Sequence, residues 1–169
     1  MLFEKTLMPD YCFDSFSKVT PEFLHSIGAK AVISDIDNTL VPYEIHRPTE
    51  EVSLWVKALE ENGIALAFVS NNHEDRVAEF NRELSKPAYS DVKKPSAKYL
   101  ILAMKTLGAS PDETLFLGDQ LLTDAWAAHN AGIKAAIVPP IKDKKNLFFK
   151  TKRLIEKPYM KKFFKMKNN

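Results

Sequence analysis

An α/β fold, with a parallel sheet covered by helices on both faces, is what the sequence predicts. Two observations lead there. Segments that are apolar throughout, rather than at alternate positions, recur as AVIS, IALAFV, TLFLG and IKAAIV, the pattern of strands buried on both sides. Between them stand stretches with apolar residues at helical spacing, and strands alternating with helices build parallel sheets. A third observation places the function: polar residues cluster just after the strands, where open sheets of this kind bind their ligands.

The elements follow in order. Ala31 to Ser34 reads as a short buried strand opening onto a polar loop. TEEVSLWVKALEENG then reads as a helix. Thr49 can cap it, Glu50 and Glu51 suit its first turn, and Val52, Trp55, Val56 and Leu59 form one apolar stripe. Gly63 ends it, and IALAFVSNN is a second strand that stops at Ser70. NNHEDRVAEFNREL is the next helix, with Asn71 or Asn72 as its cap. Ala88 to Ser90 is a brief extended stretch. KKPSAKYLILAMKTLG then places Leu100, Ala103, Met104 and Leu107 at helical spacing before Gly108. TLFLGD is a strand ending at Asp119, DAWAAHNAG a helix closed by Gly132, and IKAAIVPP a final strand. The sheet therefore has about five strands.

A length of 169 residues suits one domain with a sizeable core, and 45% hydrophobic with 27% charged residues suits a soluble globular protein. No apolar run reaches transmembrane length, and the N-terminus lacks the features of a signal peptide. Cys12 alone cannot form an internal disulfide, so a reducing cytoplasm is expected, with Cys12 as a small buried side chain. His25, His46, His73 and His129 are scattered without metal-ligand spacing, and Trp55 and Trp126 read as core residues. The overall charge of +2 hides an asymmetry: the segment from Lys142 to Asn169 carries +9 and the remainder −7. The expected organisation is one domain over 1–141, with a core from about 30 to 140, and a basic tail over 142–169.

The strand ends carry the chemistry. Residues i and i+2 of extended backbone point to the same side, so Asp35 and Asp37 can reach one small volume. Asp119 and Asp124 supply carboxylates after a different strand, and such a set suits a hard cation such as Mg²⁺. Ser70 adds a hydroxyl and Lys94 a cation, the groups that surround a phosphoryl oxygen. Each residue also has an ordinary reading. The paired aspartates can be solvated loop charges, and Asp124 a charge or cap at a helix start. Ser70 and Asn71 can be helix caps, and Lys94 a surface lysine.

Taken together, DIDNTL, FVSNN, KKPS and GDQLLTD resemble, in order, the four motifs of the haloacid dehalogenase superfamily, whose core is Rossmann-like. The resemblance implies that Asp35 is the nucleophile forming an aspartyl-phosphate. It implies that Asp37 is general acid and then base, with Thr39 orienting it. Ser70, Asn71 and Lys94 would bind the phosphoryl group. Asp35, the backbone carbonyl of Asp37 and Asp119 would hold Mg²⁺, with Asp124 a direct ligand or one shell removed. An acid at position 37 implies a phosphatase rather than a dehalogenase. Neither the interval from Asp37 to Ser70 nor that from Ser70 to Lys94 has room for a cap domain.

LMPDYCFDSFSKVTPEFL, DIDNTLVPY and GDQLLTDAWAAHNAG are similar to capless phosphatases related to phosphatidylglycerophosphate phosphatase. That implies a lipid phosphate substrate met at the inner face of a membrane. In the tail, Tyr159, Met160, Phe163 and Phe164 share one helical face ringed by lysines, which suits an anionic surface or packing across exposed sheet. Nucleic acid ranks lower as a partner, because no recognition motif accompanies the charge. The alternatives are the same chemistry on a phosphoprotein, nucleotide or other soluble phosphate, and a scaffold that binds phosphate without turnover.

Overall fold

A computed structural model describes residues 6–142. The basic segment from 143 onward, with its expected membrane-facing side, lies outside them. Six strands form one parallel sheet in the order β1-β6-β5-β2-β3-β4. They are β1 (Tyr11–Cys12), β2 (Ala31–Ser34), β3 (Ala65–Val69), β4 (Ala88–Tyr89), β5 (Thr114–Gly118) and β6 (Lys134–Ile137). The helices are α1 (Pro21–Ser26), α2 (Glu50–Glu61), α3 (Glu74–Asn81), α4 (Lys98–Leu107) and α5 (Trp126–Asn130).

The all-apolar strands bury both faces, as their composition requires. Val32, Leu66, Phe68, Leu115 and Leu117 face one core, with Val52, Trp55, Val56 and Leu59 of α2, Val77 and Phe80 of α3, and Leu24 of α1. The alternate residues Ile33, Ala67, Val69, Phe116 and Ala135 face a second core, with Leu100, Ala103 and Met104 of α4 and Ala127 and Ala128 of α5. Thr49 caps α2 as its position predicts, its hydroxyl accepting from Val52 N at 3.3 Å. No helix among the described residues is long and apolar enough to cross a membrane.

The sheet has one strand more than expected. Tyr11–Cys12 pairs in parallel with Ala136 and Ile137 at the outer edge of β6. Two residues are too few to show a periodicity, and this strand is held from outside itself. The Asp10 carboxylate accepts from Ala135 N at 2.8 Å and pairs with His129 Nε2 at 3.1 Å. His129 is thereby structural, its pKa raised first by the bond to Asp10, against a smaller effect of burial.

Register aligns the strand ends. Ser34 of β2 sits opposite Phe68 of β3 and Leu117 of β5, so Asp35, Ser70 and Asp119 emerge at one edge of the sheet. After β2 the chain builds outward through β3 and β4, then crosses to β5 on the other side of β2. The crevice between β2 and β5 is thus the point where strand order reverses, the ligand-binding position of open α/β sheets. Among the described residues no second domain is inserted over this edge.

Candidate active site

A cavity of about 230 Å³ opens at the reversal point, lined by Asp35, Asp37, Ser70, Asn71 and Lys94 together with Asn38, Tyr43, Asn72, Gln120 and Thr123. Five of the residues expected from sequence therefore meet in one space. Asp119 and Asp124 lie buried beside Asp35, one carboxylate oxygen from each of the three falling within 4.8 Å of the others. The solvated-loop reading of Asp35 and the surface reading of Lys94 are both excluded by burial: their side chains are 8% and 3% exposed.

Lys94 is the only lysine among these groups. Its Nζ is 2.5 Å from Asp35 Oδ1 and 2.7 Å from Asp124 Oδ1, the second contact lacking the alignment of a hydrogen bond. Burial by itself lowers the ammonium pKa, but Asp124 and then Asp35 outweigh it, and Lys94 stays charged. One ammonium does not balance three carboxylates. Burial pushes the Asp35 carboxyl up to about 7: Lys94 offsets only part of it, and the charge of Asp124 adds to it. Burial, then the charges of Asp124 and Asp35, hold Asp119 well above the carboxylate range. This donor set fits a hard divalent cation, which would supply the missing positive charge through oxygen ligands.

Asp124 is positioned by a device that spacing alone does not reveal. The expected helix DAWAAHNAG is α-helical only from Trp126, and its first two residues belong to a wide π-helical turn, Leu121–Ala125, which carries Asp124 inward. Its Oδ2 accepts from Asp119 N at 3.1 Å and Gln120 N at 3.0 Å, so it also fastens the end of β5. Gly118 makes room for it: a Cβ there would stand 2.5 Å from the Asp124 Cβ and 2.6 Å from its Oδ2. Gly118→Ala is therefore expected to displace Asp124, lowering stability by about 1–3 kcal/mol, as overpacking does. It should also lower turnover at least about tenfold, since small displacements at a reacting centre are costly. Urea unfolding read beside phosphate release checks both effects.

The two asparagines serve the site rather than the helix. α3 begins at Glu74, with His73 before it and no side-chain cap. The Asn71 amide oxygen accepts from Lys94 N at 2.8 Å, and the Asn72 amide donates to Asp37 Oδ2 at 3.2 Å. Ser70 Oγ accepts from Asn72 N at 3.0 Å, which leaves its own O–H for a group in the cavity.

Thr39 departs from expectation. Its hydroxyl donates to Asp35 Oδ2 at 3.1 Å, not to Asp37. The backbone turns left-handed at Asn38, φ 65°, and Asn38 N bonds Val41 O, so Thr39 faces back toward Asp35. The Asp37 carboxylate is instead held by Asn72 and by Arg76 of α3, whose Nη2 donates to Oδ1 at 2.9 Å. Asp37 therefore brings its side chain to the cavity wall and not to the carboxylate cluster. Arg76 is absent from the sequence reading, in which Asn72 figures only as a helix cap. The available signal was Arg76 lying one turn before Phe80, on the inward side of the helix.

A family profile described as haloacid dehalogenase-like hydrolase matches residues 14–138. The chain is 30% identical over 156 residues to the probable phosphatase YqeG of Bacillus subtilis (strain 168), covering 92% of this chain and 91% of that one. It is also 30% identical over 137 residues to the pyrophosphatase PpaX of Halalkalibacterium halodurans, covering 74% of this chain and 60% of that one. Among solved structures, a hydrolase of the same superfamily from Ehrlichia chaffeensis superposes with a TM-score of 0.56 at 18% identity, over 75% of this chain and 96% of that one. CbbY of Rhodobacter sphaeroides, solved with phosphate, gives 0.53 at 14%, over 71% and 90%, a likeness of fold alone. With the carboxylates, serine and lysine of its strand ends gathered at one crevice, the chain belongs to the haloacid dehalogenase-like hydrolases and is a phosphatase of that family.

Proposed function

We propose that this phosphatase is Mg²⁺-dependent, transfers the phosphoryl group to Asp35, and acts on phosphatidylglycerophosphate at an anionic membrane surface. The observation that carries the mechanism is the buried Asp35 carboxylate at the cavity floor, contacted by Lys94 and grouped with Asp119 and Asp124.

Ser70, Asn71 and Lys94 bind the phosphoryl oxygens. Thr39 holds Asp35 Oδ2 and Lys94 contacts Oδ1, the oxygen whose remaining lone pair attacks phosphorus. As the bond from Asp35 to phosphorus forms, the ester bond breaks, and Asp37 gives its proton to the departing oxygen. Asp37 then takes a proton from the water that attacks phosphorus, and the Asp35 bond breaks to release inorganic phosphate. Asp35, Asp119 and Asp124, with the Asp37 carbonyl, would hold Mg²⁺, which when bound neutralises the carboxylates and the charge of the phosphoryl oxygens.

Four features support a lipid substrate. The site edge carries no inserted domain among the described residues. A second cavity, about 350 Å³, lies alongside, with Phe16, Leu40, Pro42, Val138 and Ile141 in its wall. Tyr43, Ile45 and Ile141 expose apolar surface near it. The basic composition of 142–169 adds electrostatic attraction, about 1 kcal/mol for each lysine or arginine near an anionic surface.

The test is phosphate release by the full chain, with and without Mg²⁺. Substrates are an aryl phosphate, soluble nucleotides and phosphopeptides, and phosphatidylglycerophosphate in anionic vesicles. Metal-dependent release with the highest kcat/KM on the vesicles is expected. A nucleotide or phosphopeptide turned over faster replaces the lipid assignment, and release untouched by chelator removes the metal.

A further inference from the structure

The geometry points to Arg76 as a positioning residue for leaving-group protonation: it sets the aim of Asp37 and fixes it to the wall against which the departing group rests. This inference rests on the phosphatase reading above and adds to it a residue that the catalytic motifs do not contain.

Arg76 is a buried guanidinium with three acceptors. Nη2 donates to Asp37 Oδ1 at 2.9 Å and to Ile45 O at 2.8 Å, and Nη1 donates to His46 O at 3.2 Å. Its side chain is 8% exposed, its guanidinium lies 5.8 Å from the Phe80 ring centroid, and its Nε is buried without a partner. An arginine needed only to tie α3 to the 45–46 loop would be satisfied by carbonyls. This one also spends a charge-assisted bond on the acid, across 39 residues of sequence.

Asn72 holds the other oxygen of Asp37, so the carboxyl plane is fixed from both ends. The loop gripped through Ile45 and His46 is the one whose Tyr43 lines the phosphate cavity. One planar group thus fixes the acid relative to the cavity wall, which a lysine, a single point of charge, cannot do.

A misaimed acid harms only a reaction that needs its proton. An alkyl phosphate expels a strongly basic alkoxide and requires protonation, whereas p-nitrophenyl phosphate expels a stable phenolate and needs little. Turnover of both by wild type, Arg76→Gln, Arg76→Lys and Asn72→Ala is the experiment, with each variant's melting temperature recorded. General acids contribute about 10²–10⁴-fold, so Arg76→Gln and Arg76→Lys should lose roughly 100-fold in kcat on the alkyl phosphate. On the aryl phosphate they should lose less than about fivefold. Asn72→Ala should lose less on both, with the same bias. In an Asp37→Asn background, Arg76→Lys should cost nothing further on the alkyl phosphate.

Equal losses on the two substrates, or none on either, overturn the inference and leave Arg76 a structural tie. If Arg76→Gln does not fold, the lysine and Asn72 variants decide by the same ratio. A wild-type protein inactive on both phosphates refutes instead the phosphatase mechanism on which the inference rests.

Discussion

Asp35→Asn should reduce phosphate release by at least about a thousandfold, the scale of losing a covalent nucleophile, while the protein remains folded. Asparagine preserves the size of the side chain, with its amide oxygen for Lys94 and its amide N–H for the Thr39 hydroxyl to accept, but the amide does not attack phosphorus. Lys94 keeps Asp124 at 2.7 Å, so no buried ammonium is stranded. The substitution also removes a carboxyl that burial holds at about 7, so the metal-free variant should melt no lower than wild type at pH 8. Turnover and thermal unfolding measured on one preparation separate loss of chemistry from loss of fold. Activity within tenfold of wild type would exclude Asp35 as the nucleophile.

Asp119→Asn should abolish metal-dependent activity and yet stabilise the metal-free protein at neutral and alkaline pH. Asp119 has its pKa raised well above 3.8 in the folded chain. Between the unfolded value and the raised one, the native state binds more protons than the unfolded state. Stability therefore falls as pH rises through that window, and the penalty is complete above it. Asparagine carries no such penalty. Without metal at pH 8, the variant should melt higher by on the order of 5 °C, and the gap should close toward pH 4. Added Mg²⁺ should raise the wild-type melting temperature and leave the variant nearly unchanged, because binding to the native state stabilises it only where ligands remain. A variant that melts lower than wild type at pH 8 without metal would refute the claim that charge crowding strains this site.

Most of the site was legible because its parts sit where apolar runs stop. Asp35, Ser70 and Asp119 each follow a strand whose composition announces it, and parallel register does the rest. The illegible parts depend on contacts across the fold. Arg76 looks like any charged residue of an amphipathic helix until Asp37 arrives from 39 residues away. Thr39 turns to Asp35 because the backbone goes left-handed at Asn38, a conformation that a motif does not encode by spacing. Gly118 is one more residue of the strand TLFLGD, whereas its role is to leave space for Asp124. The two-residue strand at Tyr11 is specified by Asp10, Ala135 and His129 rather than by itself.

The central place of β2 has a further consequence, one for folding. The groups that meet at its end leave the backbone at positions 35, 70, 94, 119 and 124, and every approach between them, apart from the local one of Asp124 to Asp119, closes a long loop. Parallel pairings of this kind form late, since loop-closure entropy precedes any contact that rewards it. Nothing local holds Lys94 against Asp35, so a chain with its helices formed but its sheet loosely packed has no nucleophile in place. Phosphate release is therefore a sensitive gauge of tertiary completeness, falling to zero in a compact, loosened state whose far-ultraviolet circular dichroism still looks native.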